Sequence, residues 1–492
     1  MSVPSGIRVK EPAGRWVVFT TALGLSMALL DSTVVNVALP HLGADFGADL
    51  AQLQWTVNAY MLTLASFILL GGALGDRFGR RRVFVVGVYW FAAASLLCGL
   101  APSAGALIAA RALQGIGGAL LTPGSLALIQ SSFHPDDRAR AVGIWSGLGG
   151  VGAAVGPFVG GWLVDGPGWR WVFLLNLPLA AVCIPAAVKH VPESRGPKDS
   201  HNFDIAGAAW GATALGLVTY ALIDTNWLTG LVGLAAGVIF VRTERSRPAP
   251  MLPMSLFRSR PFTVINVVTF LVYAALGGFF FLAVLDLQVV AGYSALAAGS
   301  AMLPTTLLML LLSGRAGSLG ERLGPRIPLT LGSVFAAAGV LLMTRVGPGA
   351  DYITDVLPAL VLLGLGLVIL VAPLTATVLA SVDVDRSGIA SAVNNAAARA
   401  AGLVAVAALP TLTGMGPQTY RSGDQFATTF DRAMILCAGL FGLASIIAGT
   451  QLRNSLASTV TARPDSTVHC ALTAPPLNPG PAENIPVQPA KA

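Results

Sequence analysis

The chain alternates long apolar stretches with short polar interruptions, and the lengths of those stretches decide how it can fold. A helix crossing ~30 Å of hydrocarbon needs about 20 mostly apolar residues at 1.5 Å per residue. Fourteen stretches meet that requirement. The first six run over 16–39, 54–74, 83–101, 106–130, 141–164 and 171–189, separated by short polar or Gly/Pro loops. Two more follow at 205–223 and 227–241, after which TERSRPAPMLPMSLFRSRPF breaks the hydropathy with charge and proline. The last six occupy 263–290, 296–313, 327–344, 354–380, 388–412 and 431–450. The pattern predicts an all-α polytopic membrane protein divided into segments at 1–15, 16–190, 203–242, 243–262, 263–450 and 453–492. The last of these, with seven prolines and few apolar runs, has the composition of a disordered tail.

Composition supports the same class, since 54% hydrophobic residues, 11% charged residues and a mean hydropathy of +0.73 are too apolar for a soluble fold. Cys98, Cys183, Cys437 and Cys470 are scattered singly, so neither a disulfide framework nor a CxxC metal site is suggested. The pI near 9.5 does not point to nucleic acid, because the positive charge sits in short loops between apolar stretches, where it sets topology. With both termini inside, 24 of the 30 Lys and Arg fall on cytoplasmic segments; Arg170, Arg345, Arg421 and Arg432 fall outside. The other two, Arg111 and Arg399, lie within predicted spans. The first apolar segment lacks a small-residue cleavage site and reads as a genuine span, not a cleaved signal.

An internal repeat organises the spans. Residues 72–87, GALGDRFGRRRVFVVG, align without gaps to 317–332, GSLGERLGPRIPLTLG. Gly72, Gly79 and Arg81 match Gly317, Gly324 and Arg326, Arg77 matches Arg322, and Asp76 becomes Glu321. The two copies are eight spans apart, so spans one to six correspond to nine to fourteen, with seven and eight inserted between the halves. Parallel halves of this kind place a substrate site at mid-membrane on their interface and rock to open it to each side in turn.

GALGDRFGRRR resembles the cytoplasmic loop signature of the major facilitator superfamily, and further stretches resemble its fourteen-span drug/proton antiporter family. LDSTVVNVALP at 30–40 is similar to that family's first-span motif, RALQGIGGA at 111–119 to its fourth-span motif, and GLGGVGAAVGPFVGG at 147–161 to its fifth-span antiporter motif. WRWVFLLNLP at 169–178 and QVVAGYSALAAGSAMLP at 288–304 also look like stretches common there. The resemblance covers nearly the whole chain to about residue 450. It implies the major facilitator fold, two six-helix halves plus two extra central helices, in a bacterial inner membrane with both termini cytoplasmic. It further implies export of small organic compounds, such as drugs, antibiotics or a secondary metabolite, in exchange for protons. Cofactors are not expected, the proton gradient being the energy source; the expected partners are lipid, substrate and protons, with no nucleic acid and no obligate protein partner.

Asp31 is the first candidate for coupling, because an ionised acid inside a span is costly and is usually functional or paired. Counting along the helices puts Asp31 ~12 Å and Arg111 ~10 Å below the outer boundary, so the two can pair. An acid that meets Arg111, substrate and proton in turn would couple proton flow to transport; a static ion pair fixing helix packing is the alternative. Arg111 could instead bind an anionic substrate. Gln114, one turn from Arg111, and Asn36 are candidate cavity residues, though a polar side chain bridging two helices fits Gln114 equally. Gly152, Gly156 and Gly160 make a flat face in the fifth span and Pro157 adds a bend: ordinary tight packing, or, as the resemblance implies, a pliable contact between halves.

In the repeated loop, Asp76, Arg77, Arg80 and Arg81 with Gly72 and Gly79 read as a gate latching the cytoplasmic side, with Glu321 and Arg322 as a weaker counterpart. In the second half Asp286, Asn394, Asn395 and Arg399 are the polar intruders. Asp286 marks a cation-attracting site or an acid snorkelling to exterior water, with the exterior reading favoured. Asn395 and Arg399, at i and i+4, share a face that lines a cavity, or the asparagines bond between helices. A proton-coupled uptake symporter is the main alternative function, and the Gly/Pro motif of span five argues against it. The lack of an HExxH or Walker motif, with the five histidines all near span ends or loops, argues against catalysis.

Overall fold

A computed structural model describes residues 6–196, 204–247, 250, 252–383, 386–452 and 454. The expected tail at 453–492, with Cys470, lies outside the described residues apart from Asn454. Among the described residues, fourteen helices are long and apolar enough to span a membrane. In chain order they are α1 (Pro12–Phe46), α2 (Leu50–Phe78), α3 (Arg80–Gly99), α4 (Ala104–Ser132), α5 (Pro135–Asp165), α6 (Arg170–His190) and α7 (Ile205–Ile223). The rest are α8 (Trp227–Ser246), α9 (Arg260–Val289), α10 (Ala295–Leu312), α11 (Arg326–Arg345), α12 (Tyr352–Ala380), α13 (Gly388–Thr413) and α14 (Gly423–Gln451).

Every expected span is present, and the helices outrun the apolar stretches that mark them. The first turns of α5 hold Asp136, Asp137 and Arg138, and α14 starts about two turns before residue 431. Polar capping explains where they stop. Asp49 and Gln52 form a reciprocal capping box at the start of α2, Ser103 caps α4, and Gly47 ends α1 with φ +62°. Two spans are interrupted: α6 at Leu175 and α10 at Met302, beyond which the α10 helix runs on to Leu323.

The repeated segment, read as a loop, is nearly all helix. α2 continues through Phe78 and α3 restarts at Arg80, leaving Gly79 as the only break, at φ +111°. Its counterpart Gly324 has φ +74° between the end of the α10 helix and α11. A side chain is strained at such angles, which explains glycine in both copies. Each glycine also lies under the segment that follows the sixth helix of its half. A Cβ on Gly79 would meet the Glu193 carboxylate at 2.9 Å, and one on Gly324 would meet Asn454 Cβ at 2.9 Å. The eight-span offset of the repeat thus recurs in three dimensions, down to which segment docks on which turn.

α1 packs on α5, α2 on α4 and α3 on α4 in one half, and α9 on α13 and α14, α11 on α12 and α14 in the other. Several hydrogen bonds join the halves at the end where α1 closes. Gln54 Nε2 donates to Val406 O at 2.6 Å and Ala407 O at 3.1 Å, Gln288 Nε2 to Val37 O at 3.0 Å, and the Leu296 amide to Asp165 Oδ2 at 2.8 Å. Tyr420 Oη and Arg421 Nη2 both donate to Ala48 O, at 2.5 and 3.0 Å. Toward the other end Asn395 on α13 is exposed, although Ala407, ~18 Å along the same helix, is buried against α2. The α7–α8 hairpin rests on both sides of the seam, α7 contacting α2 and α13, with Thr411 Oγ1 donating to Leu222 O at 3.0 Å.

Candidate functional site

Five helices of the first half converge on Asp31. α2 and α4 can cross closely because Gly115 faces the Tyr60 carbonyl and Gly71 faces the Ala119 carbonyl with no side chain between. That crossing brings Arg111 of α4 against the α2 backbone, where its Nε donates to Thr56 O at 3.2 Å. Its Nη1 donates to Asp31 Oδ2 at 2.5 Å and to Gln114 Oε1 at 2.6 Å. The second carboxylate oxygen accepts from Gln114 Nε2 at 2.7 Å and Asn176 Nδ2 at 3.1 Å, and both amides also donate to Ser95 Oγ of α3. Asn176 is in place because α6 breaks at Leu175 and its second piece begins there.

The network is sealed. Asp31, Gln114, Ser95 and Asn176 are 0% exposed and Arg111 is 1%. The Arg111 guanidinium lies 4.3 Å from the Tyr60 ring centroid and 5.7 Å from that of Phe173, so aromatic faces cover what the carboxylate does not. The pairing of Asp31 with Arg111 was open in the sequence; here it is direct. Gln114 as a cavity residue is corrected: it bonds both partners of the ion pair and faces no open space. Thr56, Tyr60, Ser95, Phe173 and Asn176 were not singled out, although Asn176 sits in the stretch WRWVFLLNLP as an amide inside an apolar run.

The glycine face of α5 is also corrected. Gly152 faces Ser26, Gly156 faces Thr33 and Gly160 faces Val34, all on α1 of the same half. The contact between halves is made by neighbours of that face, with Gly161 against the Ala295 backbone and the Pro157 carbonyl against Gly299. Helical geometry gives the reason: positions 152, 156 and 160 form one stripe, and 157 and 161 form the adjacent one.

Arg80 and Arg81 of the gating group are tied within their own half. Arg80 Nε donates to Asp76 Oδ1 at 2.8 Å, a pair one turn apart on the repeated segment. Arg81 Nε lies 3.7 Å from Glu193 Oε2, and its Nη1 donates to Val191 O at 3.0 Å. Arg77 lies over the Phe78 ring, and Gly72 faces Pro123 of α4. Glu193, the anion that organises this corner, was missed; PESR after α6 was its only signal. The side chains of Glu321 and Arg322 lie outside the described residues.

In the second half, Asn394 Nδ2 donates to Asn266 Oδ1 at 3.1 Å and Thr269 Oγ1 at 2.7 Å, bridging α13 to α9. Arg399 Nε donates to Asn395 Oδ1 at 3.0 Å. The exterior reading of Asp286 is overturned: it is 0% exposed, and neither carboxylate oxygen has a hydrogen-bond partner among the described residues. α14 begins earlier than its apolar stretch and, with the 417–422 segment, covers the end of α9. Asn36 is partly exposed, with a buried, unbonded Oδ1. Among the described residues no group of His, Cys, Asp and Glu could hold a metal ion.

A duplicated bundle whose halves meet at one end, with an ion pair enclosed in the first half, defines a class of membrane transporter. The sequence signature of the Major Facilitator Superfamily matches residues 21–406, and the chain belongs to that family. It is a multi-pass membrane protein and a transporter, not an enzyme. It is 34% identical over 439 residues to the tetracenomycin C resistance and export protein of Streptomyces glaucescens, covering 86% of this chain and 80% of that one. Its identity is 37% over 432 residues to the probable actinorhodin transporter of Streptomyces coelicolor, covering 83% and 74% of the two chains. It is also 33% identical over 414 residues to the multidrug efflux pump LfrA of Mycolicibacterium smegmatis, covering 82% of each. Among solved structures, a peptide transporter POT superposes with a TM-score of 0.65 at 17% identity, over 91% of this chain and 97% of that one. That likeness concerns the fold alone.

Proposed function

We propose that this chain exports small organic compounds from a bacterial cytoplasm in exchange for protons, by alternating access between its two halves. The observation that carries the reading is the sealed Asp31–Arg111 pair directly beneath the end at which the halves are joined. The names of the relatives, an export protein and an efflux pump, support the outward direction. Charge segregation supports placing both termini, and the end at which Asn395 is exposed, on the cytoplasmic side.

A proton taken up by Asp31 removes the charge that holds Arg111 and turns one oxygen from acceptor to donor. Arg111 keeps Thr56 O, Gln114 Oε1 and the Tyr60 face, so α1 loosens from α4 while α2 and α4 stay joined. Val37, whose carbonyl accepts from Gln288 of the other half, lies on α1 only ~9 Å along the helix from Asp31. A shift of α1 therefore reaches the seam directly. The reaction needs no cofactor: the proton gradient supplies the energy and the bilayer the insulation.

The test is accumulation of fluorescent cationic, neutral and anionic compounds in an efflux-deficient bacterial host, with and without a protonophore, comparing wild type with Asp31→Asn. Lower accumulation in wild type, abolished by the mutation and by the protonophore, is expected. Raised accumulation would reverse the direction, and export indifferent to both treatments would remove the proton.

A further inference from the structure

Arg399 stands apart from the other described intramembrane charges. Arg111 is neutralised by Asp31 and Asp286 is sealed, whereas Arg399 is partly exposed midway along α13 and no acid lies within ion-pair distance of it among the described residues. Its surroundings show where it faces. α13 crosses α9 closely at Gly402 and Gly277, which brings Tyr273 of α9 beside Arg399; from across the seam comes Tyr60 of α2. With tyrosines of both halves within electrostatic reach of it, the guanidinium lies on the side of α13 that is turned toward the other half.

The bonding is as specific as the placement. Nε is anchored to Asn395 Oδ1 at 3.0 Å, and neither terminal nitrogen has a hydrogen-bond partner among the described residues. Those two nitrogens are the fork that fits a carboxylate in a bidentate manner, and Asn395 holds the fork in orientation. A cation at this depth is costly unless something compensates it, and among the described residues no acid does. Asn395 has its amide nitrogen left to donate, and Tyr273 offers a ring and a hydroxyl alongside.

We propose that Arg399, oriented by Asn395 and flanked by Tyr273, is an anion-binding subsite in the cleft, and that the compounds transported carry a carboxylate or an acidic phenol. This assignment rests on the transport reading above and narrows its substrate to one chemical class. Tyr60, whose ring lies 4.3 Å from the Arg111 guanidinium, is within electrostatic reach of Asp31, Arg111 and Arg399 alike.

The test uses the full chain purified in detergent and two xanthene dyes of similar size, anionic 5-carboxyfluorescein and cationic rhodamine 6G, with binding read by fluorescence anisotropy. Wild type is expected to bind the anionic dye, Arg399→Gln to weaken it about tenfold or more, and rhodamine 6G binding not to weaken. Arg399→Lys keeps the charge without the fork and is expected to fall between the two; it decides the matter if the glutamine variant does not elute as a monodisperse species. No binding of the anionic dye by wild type, or equal binding by wild type and Arg399→Gln, overturns the subsite. Proteoliposome transport of the same dyes separates the two readings. Movement of rhodamine 6G without anion binding overturns the subsite alone, whereas Arg399-dependent anion binding with neither dye moved supports the subsite and overturns export.

Discussion

Replacing Asp31 and Arg111 singly and together tests whether the sealed pair acts as one unit. Asp31→Asn leaves a buried guanidinium compensated by Thr56 O, Gln114 Oε1 and the rings of Tyr60 and Phe173 but by no carboxylate. Breaking a buried pair in this way costs about 3–5 kcal/mol. Arg111→Gln strands the carboxylate, which still accepts from Gln114 and Asn176, so its cost should fall at the lower end of that range. With both replaced, no uncompensated charge remains and the double variant should lie within ~2 kcal/mol of wild type. The coupling energy is then on the order of 4 kcal/mol, far outside the ~0.5 kcal/mol within which independent sites add. Purified variants in one detergent, unfolded by denaturant and followed by tryptophan fluorescence, supply the four free energies. If the two single losses simply add in the double variant, the pair is not a coupled unit and the account of Asp31 as the switch that frees Arg111 is wrong.

Other outcomes follow from single contacts. Asp286→Leu should raise the thermal stability of the purified protein by the equivalent of about 1–3 kcal/mol, because it removes a buried polar group with no partner; a loss of stability would show that the carboxylate is bonded. Gly79→Ala should cost on the order of 1–2 kcal/mol, from its φ of +111° and the Glu193 carboxylate at 2.9 Å, with Gly143→Ala, open on all sides, as the near-neutral comparison in the same melting assay. Cysteines placed at Asp165 and Leu296 should cross-link readily in membranes and stop transport until reduced; transport that persists when cross-linking is complete would mean this end does not open. Gly156→Val should abolish stable expression, since Thr33 of α1 occupies the space a side chain needs, while the same change at Gly147 should not.

The number of spans, the duplication and the two intramembrane charges of the first half were legible in the chain because each rests on a one-dimensional rule. Apolar length sets a crossing, a gapless repeat sets the pairing of halves, and an acid or arginine inside an apolar run stands out in any conformation. The cost of burying Asp31 and Arg111 also made their pairing a fair expectation, since their depths along α1 and α4 follow from helix rise alone. What the chain could not disclose were properties of neighbours. Asn176 and Ser95 are ordinary polar residues until the break in α6 and the approach of α3 bring them to one carboxylate. Asp286 read as an exterior acid because it lies near the outer end of its span, and its burial is set by packing that the apolar pattern does not record. The stripe of Gly152, Gly156 and Gly160 announced a close approach but not to what, and a rotation of one position separates α1 from the other half. Sequence periodicity fixes which side chains share a face; only the packed helices decide what that face meets, because the partner is brought by a part of the chain remote in sequence.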